Sequence, residues 1–365
     1  MAPLRIGFIG AGDNTRKLHI PGFQAIDDVE LVSVANRSKE SSQRVADEFG
    51  IAKVQPSVEA LLADDDIDAV CIGTWPDKHR DYMVAALEAG KHVLCEARMA
   101  RNGRDGEAML AASQAMPELV AQLVPAPFDF RLGPTIQRLI GEGALGEIIE
   151  TRMRMLNGAG LADSRLHWRH SYKISGRNTM MLGIFNEMIQ RWLGNTTRVT
   201  ADAAVQVTTR HDEDADKDVQ IEIPDSLTVL ARMENGSRTI YDISAVAGGN
   251  FDQPPGEVFV QGTEGALHWV FGDQARFAKH GEEATDLVPD EGTDRGWQVE
   301  ADFVASIRES KPVELTSLRD GVRYMRFIDA VWDSWSQLRT VDILSLKASD
   351  EEAARSSLID EPVRS

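Results

Sequence analysis

The run Leu4–Gly10 (LRIGFIG) passing straight into Gly10-Ala11-Gly12-Asp13-Asn14-Thr15 is the feature that most narrows the fold of this chain. An apolar segment without polar alternation reads as a strand buried on both faces. Glycine at its end permits a tight turn. Gly10 would make that turn, and Gly12 would let a pyrophosphate approach the backbone at the N-terminus of the next helix, with Asp13, Asn14 and Thr15 around it. Thr15 stands where a third Gly or Ala is usual, so the helix is expected to sit slightly further from the strand. The position directly after a buried strand favours a dinucleotide cradle over a plain turn.

The same pattern repeats. Leu31–Ala35, Ala69–Gly73, His92–Cys95 and Leu119–Val124 read as further strands, and Lys39–Phe49, Ser57–Ala63, Lys78–Ala89 and Gly103–Met116 as helices between them. Strand–helix repetition implies an α/β fold, here an N-terminal Rossmann doubly wound parallel sheet over residues 1–124. The second strand ends in Ala35-Asn36-Arg37 rather than in an acidic residue. Asn36 lacks the charge that would repel a 2′-phosphate and Arg37 offers a partner for one, so the expected cofactor is NADP or NAD, with NADP favoured.

Composition limits the partners. Lys and Arg total 39 against 58 Asp and Glu, a net charge of −19. This excess of anions argues against nucleic acid and anionic membranes as partners. No apolar run approaches the roughly 20 residues of a membrane span, and the N-terminus has no secretory pattern. Cys71 and Cys95, both in apolar strand-like runs, suit a reduced, cytoplasmic protein with a small-molecule substrate.

Several stretches carry a resemblance. They are Gly10-Ala11-Gly12-Asp13 with His19-Ile20-Pro21, Thr74-Trp75-Pro76-Asp77-Lys78-His79, the run Ala86–Glu96, Trp168-Arg169, Arg191-Trp192-Leu193-Gly194 and Gln261–Gly265. With them the chain resembles the glucose–fructose oxidoreductase, inositol dehydrogenase and MocA family from residue 4 to about 345. The resemblance implies that Thr74, Pro76, His79 and Glu96 line the nicotinamide half of a cofactor, with the bulk of Trp75 inserted beside them. It also exposes departures. The family's Glu-Lys-Pro is Glu96-Ala97-Arg98 here, and the acid and base positions of its Asp-x-Gly-x-His-x-x-Asp helix fall on Met181, Phe185 and Met188, with Gly183 retained. Met181, Phe185, Met188 and Trp192 form one helical stripe, open to two readings: ordinary packing, or the wall of an apolar pocket.

Beyond Pro125 the pattern changes. Leu132–Gly141 reads as a helix. Strands follow from Gly146, over Val199–Thr209, Ser226–Met233, Arg238–Ala247 and Glu257–Gln261. Asn235-Gly236 predicts a type I′ hairpin. Residues 125–346 are thus expected to form a C-terminal α+β domain with a large, mainly antiparallel open sheet. Helices Trp297–Glu309 and Arg319–Leu338 would cover one face and homo-oligomer contacts the other; residues 347–365 read as an acidic tail. The acidic run Asp212–Asp218 lacks the Gly and Glu of a calcium loop, and no metal site is expected. Candidate catalytic groups are His167, Arg169, His170, Tyr172, Lys173 and Arg98. The imidazoles titrate near neutral pH, Tyr172 would need a nearby cation to act as an acid, and Arg169 and Arg98 suit an anion. Three functions remain open: an NAD(P)-dependent oxidoreductase acting on a hydroxyl or carbonyl group of a sugar-like or cyclitol-like substrate, a non-redox lyase, isomerase or hydrolase, and a non-catalytic binding protein.

Overall fold

The structure, a computed structural model, describes residues 2–162, 165–248, 254–344 and 346. The acidic tail expected over 347–365 lies outside the described residues. Of these residues, 2–125, 298–322 and 346 make one compact unit, and 126–297 with 323–344 a second.

The first unit is built on β1 (Leu4–Ile9), β2 (Val29–Ala35), β3 (Lys53–Val54), β4 (Ala69–Ile72), β5 (His92–Cys95) and β6 (Ala121–Leu123), in the order β3-β2-β1-β4-β5-β6. Every pairing is parallel. All four residues of β4 are buried, as an unalternating Ala-Val-Cys-Ile run between two strands demands. The strand order reverses between β1 and β4, and ligands of such sheets bind outside the carboxyl ends of the strands there. A π-helical turn over Thr15–His19 leads into α1 (Ile20–Gln24); α2 (Lys39–Phe49), α3 (Val58–Leu62), α4 (Pro76–Glu88) and α5 (Gly103–Ala115) follow. Ser38 caps α2 by accepting from the Ser41 N–H at 3.2 Å, and Gly50 stops it at φ 72°.

The second unit contains α6 (Gly133–Gly141), β7 (Ile148–Leu156), α7 (Ala159–Ala162), α8 (Tyr172–Ser175), α9 (Leu182–Leu193), β8 (Thr196–Ala204), β9 (Thr209–Asp212), β10 (Lys217–Gln220), β11 (Ser226–Met233), β12 (Arg238–Ser244), β13 (Glu257–Gly262), β14 (Gly265–Val270), β15 (Gln274–Lys279) and β16 (Thr285–Asp286). With β17 (Val341–Asp342) all but β9 and β10 join one nine-stranded sheet, antiparallel except where β12 lies parallel to β7. Alternation sets its faces. Val229, Tyr241, Met153, Val258, Trp269 and Ala275 pair in one row across six strands, and all are buried. Trp192 of α9 meets Trp269 edge-on at 6.2 Å.

Three expectations need correction. The strand expected over Val199–Thr209 breaks after Ala204. The Asp225 carboxylate accepts from the N–H groups of Gln206 and Val207, each at 2.8 Å, and β9 forms a separate two-stranded sheet with β10. The Asn235-Gly236 turn is not type I′: Gly236 alone takes positive φ (85°), in a three-residue loop closed by Met233 N–H to Ser237 O at 3.0 Å. The Asn235 side chain accepts from Ser237 N–H and Oγ–H, which holds it out of the left-handed region. Finally, α10 (Val299–Glu309) belongs to the first unit rather than covering the second sheet. Phe303 meets Phe23 edge-on at 6.3 Å, and Arg308 donates to the carbonyls of Asp27 and Asp28. The last helix, α11 (Leu318–Gln337), does reach the second sheet, where Phe327 packs on Tyr241 at 5.3 Å. No helix among the described residues is long and apolar enough to cross a membrane.

Candidate functional site

The glycine turn lies at the carboxyl end of β1, at the switch point. Gly10 has φ 78°, and a Cβ there would stand 2.4 Å from Thr74 Cγ2, so both conformation and space require glycine. At Gly12 a Cβ would meet only the Gly73 carbonyl oxygen, at 3.7 Å, so its backbone is open to an incoming group. Thr15 does not push the helix away as expected. Its Oγ1 occupies the place where a Cβ on Gly73 would be, 2.0 Å away, so the missing third glycine is replaced by one on the facing strand end. Thr15 Oγ1 and Thr74 Oγ1 are both buried without a protein hydrogen-bond partner. Orphaned hydroxyls beside an open glycine backbone fit the phosphates of a dinucleotide.

Asn36 is held from three sides. Its Oδ1 accepts from the Ala11 N–H at 2.7 Å, its Nδ2 donates to Ser41 O at 3.1 Å, and its own N–H donates to Ser42 Oγ at 2.8 Å. It therefore braces the turn. Arg37 is exposed, Asp13 points outward to Lys17 at 3.0 Å, and Trp75 is half-exposed at the start of α4.

Beside the turn lies a buried acid–base cluster. Glu96, directly after β5, places Oε1 3.1 Å from His19 Nε2, while Oε2 accepts from the Ala97 N–H at 3.0 Å. Asn14, in the glycine turn itself, also hydrogen-bonds this carboxylate. The other ring nitrogen, His19 Nδ1, lies 2.5 Å from Glu300 Oε1 on α10. All three side chains are buried, and Gly22 makes the room: a Cβ there would fall 2.4 Å from Glu300 Oε2. Burial alone would lower the His19 pKa, but hydrogen bonds to Glu300 and Glu96 and their charges raise it to about 9. Burial works to raise the Glu96 pKa, and the bond and charge of His19 overcome it, so the carboxyl titrates below its usual range. Sequence reasoning had His19 and Glu96 within matching motifs but missed Glu300. The available signal was an acidic residue on the same helical face as Phe303 and Val304.

His79 is occupied by backbone. Its Nε2 faces Thr74 O at 2.9 Å and its Nδ1 faces Arg98 O at 2.9 Å and Met99 O at 3.2 Å. Burial lowers its pKa. Instead of presenting itself to a ligand, it staples the turn after β4 to the loop after β5. Pro76 opens α4 beside it, and Arg98 is buried in that loop.

The second-unit candidates form two groups. His167, Arg169 and His170 share a short 3₁₀ turn over Trp168–His170: His170 Nδ1 accepts from the His167 N–H at 3.1 Å, and the Arg169 guanidinium lies 4.3 Å over the Trp168 ring. Tyr172 and Lys173 are exposed. The cation that meets the Tyr172 hydroxyl is Arg177, itself paired with Asp333 at 3.1 Å, and the Tyr172 ring packs 5.5 Å from Trp332. The helical stripe is packing at three of its four positions. Phe185, Met188 and Trp192 are buried, with Phe185 against Phe128 at 4.7 Å, and only Met181 is partly exposed. Among the described residues no group of three or more His, Cys, Asp or Glu stands together to hold a metal ion.

Two family models match this chain. Residues 4–122 match an oxidoreductase family with an NAD-binding Rossmann fold, and residues 134–268 match the C-terminal domain of the same family. The chain belongs to the Gfo/Idh/MocA oxidoreductase family. It is 40% identical over 110 residues to a 1,5-anhydro-D-fructose reductase of Ensifer adhaerens, covering 30% of this chain and 33% of that one. It is 24% identical over 322 residues to a myo-inositol 2-dehydrogenase of Thermotoga maritima, covering 88% of each. The matches to the first relatives found thus span only about a third of their length. Among solved structures, the apo form of a levoglucosan dehydrogenase superposes with a TM-score of 0.83 at 22% identity, over 95% of this chain and 100% of that one. An oxidoreductase domain protein of Kribbella flavida gives 0.82 at 23%, over 94% and 100%.

Within this Gfo/Idh/MocA chain the Arg191-Trp192 pair has a structural task. Arg191 pairs with Asp129 at 2.6 Å and with Glu187 at 2.9 Å, and the Trp192 indole N–H donates to the same Asp129 at 2.8 Å. The motif was legible in the sequence; Asp129, 62 residues before Arg191, was not.

Proposed function

We propose that this chain is an NAD(P)-dependent oxidoreductase acting on a hydroxyl or carbonyl group of a small sugar-like or cyclitol-like substrate. The observation that carries this reading is the open backbone at Gly12 beside two orphaned hydroxyls, at the switch point of a parallel sheet. Gly10, Gly12, Thr15 and Thr74 would hold the phosphates, with Asn36 fixing the turn. The bound nicotinamide supplies hydride transfer. The sugar-directed reactions named for the relatives support the substrate class. Exposed Arg37, with no acidic side chain at Asn36, supports NADP over NAD.

The first unit takes the cofactor, and the second takes the substrate and self-association. Proton transfer falls to the His167–Lys173 segment. Because His170 Nδ1 accepts a hydrogen bond, a neutral ring there carries its proton on Nε2. The partly apolar outer row Leu230, Ile240, Arg152, Phe259 and His268 supports a second copy as the partner of this sheet face.

The test is thermal unfolding with NAD, NADH, NADP and NADPH. A nicotinamide dinucleotide at a hundredfold excess over its dissociation constant stabilises the fold by about 2.7 kcal/mol. Arg37→Ala should weaken NADP far more than NAD. Equal losses reject that role, and no shift with any of the four, in protein free of retained nucleotide, rejects the oxidoreductase reading.

A further inference from the structure

The β14–β15 hairpin borders a cavity of about 440 Å³ that none of the candidate catalytic or cofactor residues lines. It lies within the second unit, at the β16 edge of the large sheet, and its volume falls in the range of small-molecule sites. Three segments build it. Asp273, in the hairpin turn, accepts from the N–H groups of Arg131 and Leu132 at 2.7 and 3.3 Å, which fastens the start of α6 to the hairpin. Leu287 N–H donates to Ala275 O at 2.7 Å, which holds the chain after β16 against β15. The lining is apolar at Leu132, Val270 and Leu287 and cationic at Arg131 and Arg276.

Both arginines hold donors in reserve. Arg131 spends Nε on the two oxygens of Asp294, at 3.2 and 3.1 Å, and its Nη1 and Nη2 meet no acceptor among the described residues. Arg276 gives Nη2 to the Ala284 carbonyl at 2.6 Å and holds Asp286 only loosely, at 3.5 Å from Nε; its Nη1 likewise meets no acceptor among the described residues. Acids outnumber bases 58 to 39 in this chain, yet these nitrogens stay unspent. The acids at the cavity do not compete for them. Asp273 is taken up by three N–H groups, the third from the Trp269 indole at 3.1 Å, and the Asp286 side chain is 89% exposed. His268, on the same wall, turns its Nε2 to Glu257 at 3.0 Å. We propose that the cavity binds a small organic carboxylate. A guanidinium fork matches the two oxygens of a carboxylate, and the apolar body behind that group covers Leu132, Val270 and Leu287. A bare inorganic anion would leave those three side chains wet, and a neutral ligand would leave the guanidinium donors unmet.

The probe is benzoate, titrated calorimetrically into the purified full chain, with benzamide as its neutral isostere and inorganic phosphate as an anion without an apolar body. Benzoate should bind saturably, and about tenfold more tightly than either of the others. Arg131→Gln and Arg276→Gln should each weaken benzoate by about tenfold, the scale of one charge-assisted hydrogen bond, and leave benzamide unchanged. The two side chains are 48% and 58% exposed, so the fold tolerates their loss. Gln274→Glu is the independent variant. The Gln274 side chain lines the cavity and makes no hydrogen bond among the described residues, so a carboxylate there opposes the charge of the ligand and breaks no hydrogen bond. It should also weaken benzoate. Benzoate binding that ignores all three substitutions overturns the site, and so does the absence of saturable binding at millimolar concentration. Phosphate binding as tight as that of benzoate overturns the organic class, and equal losses for benzoate and benzamide overturn the charge pairing.

Discussion

The buried cluster ties stability to pH in a way that can be worked out. His19 titrates near 9 in the folded chain against 6.5 for a free imidazole. A group whose folded pKa is raised contributes stability that is full below its unfolded pKa and fades as pH climbs through the folded one. The window therefore runs from about pH 6.5 to pH 9. Linkage over a shift of this size gives a loss of about 3 kcal/mol between pH 6 and pH 9. Cys71 and Cys95 act in the same direction, because burial holds their thiols protonated in the folded chain while they ionise once unfolded. Each adds about half a kcal/mol of loss at pH 9. Comparing variants removes that background. Urea denaturation of the wild type and Glu300→Gln at pH 6, 7, 8 and 9 should show the wild type clearly more stable at pH 6 and the two converging by pH 9. A difference that stays constant across the four pH values would refute the reasoning, since it would mean that His19 carries the same charge with or without Glu300.

Three further outcomes follow from the second unit. Asp129→Ala strands Arg191 and the Trp192 N–H in the interior and should cost about 3–5 kcal/mol, seen as a fall in Tm of roughly 10 °C; a fall under 2 °C would place that cluster in solvent. Phe185→Ala should destabilise by about 3–5 kcal/mol in chemical denaturation, whereas Met181→Ala, at the partly exposed end of the stripe, should cost under about 1 kcal/mol. If Tyr172 gives up the proton, Tyr172→Phe should abolish turnover with cofactor affinity intact, and full turnover would leave His167 and His170 as the remaining groups.

What could be read from the sequence was whatever neighbouring residues decide. The unalternating runs of β1 and β4 announced a parallel sheet because nothing but burial on both faces explains them. The run Gly10-Ala11-Gly12 announced the tight turn because only glycine takes φ 78° at no steric cost. What could not be read depended on partners far along the chain. Thr15 looked like a flaw until Gly73, 58 positions later, proved to have left space for it. The apolar faces of α10 and α11 look alike in sequence, yet Phe303 meets Phe23 and Phe327 meets Tyr241. Periodicity says that a helix has a buried face and is silent on which sheet buries it. The candidate site divides on the same terms: local motifs picked out its glycines, Glu96 and His79, but not Glu300 or the backbone carbonyls that hold His79.

The return of α10 to the first unit has a consequence for how the chain is made. On the ribosome, all of residues 1–125 emerge before the helix that covers Phe23 and supplies Glu300. The 172 intervening residues take about 10–35 s to synthesise at ordinary elongation rates. Throughout that interval the parallel sheet has every strand it will ever have, yet Phe23 lacks its aromatic neighbour and His19 has one acid instead of two. The nascent first unit therefore lacks the side chains that close over Phe23 and His19, and it is completed only when residues 298–322 have followed residues 126–297 off the ribosome, before the last helix of the second unit is made.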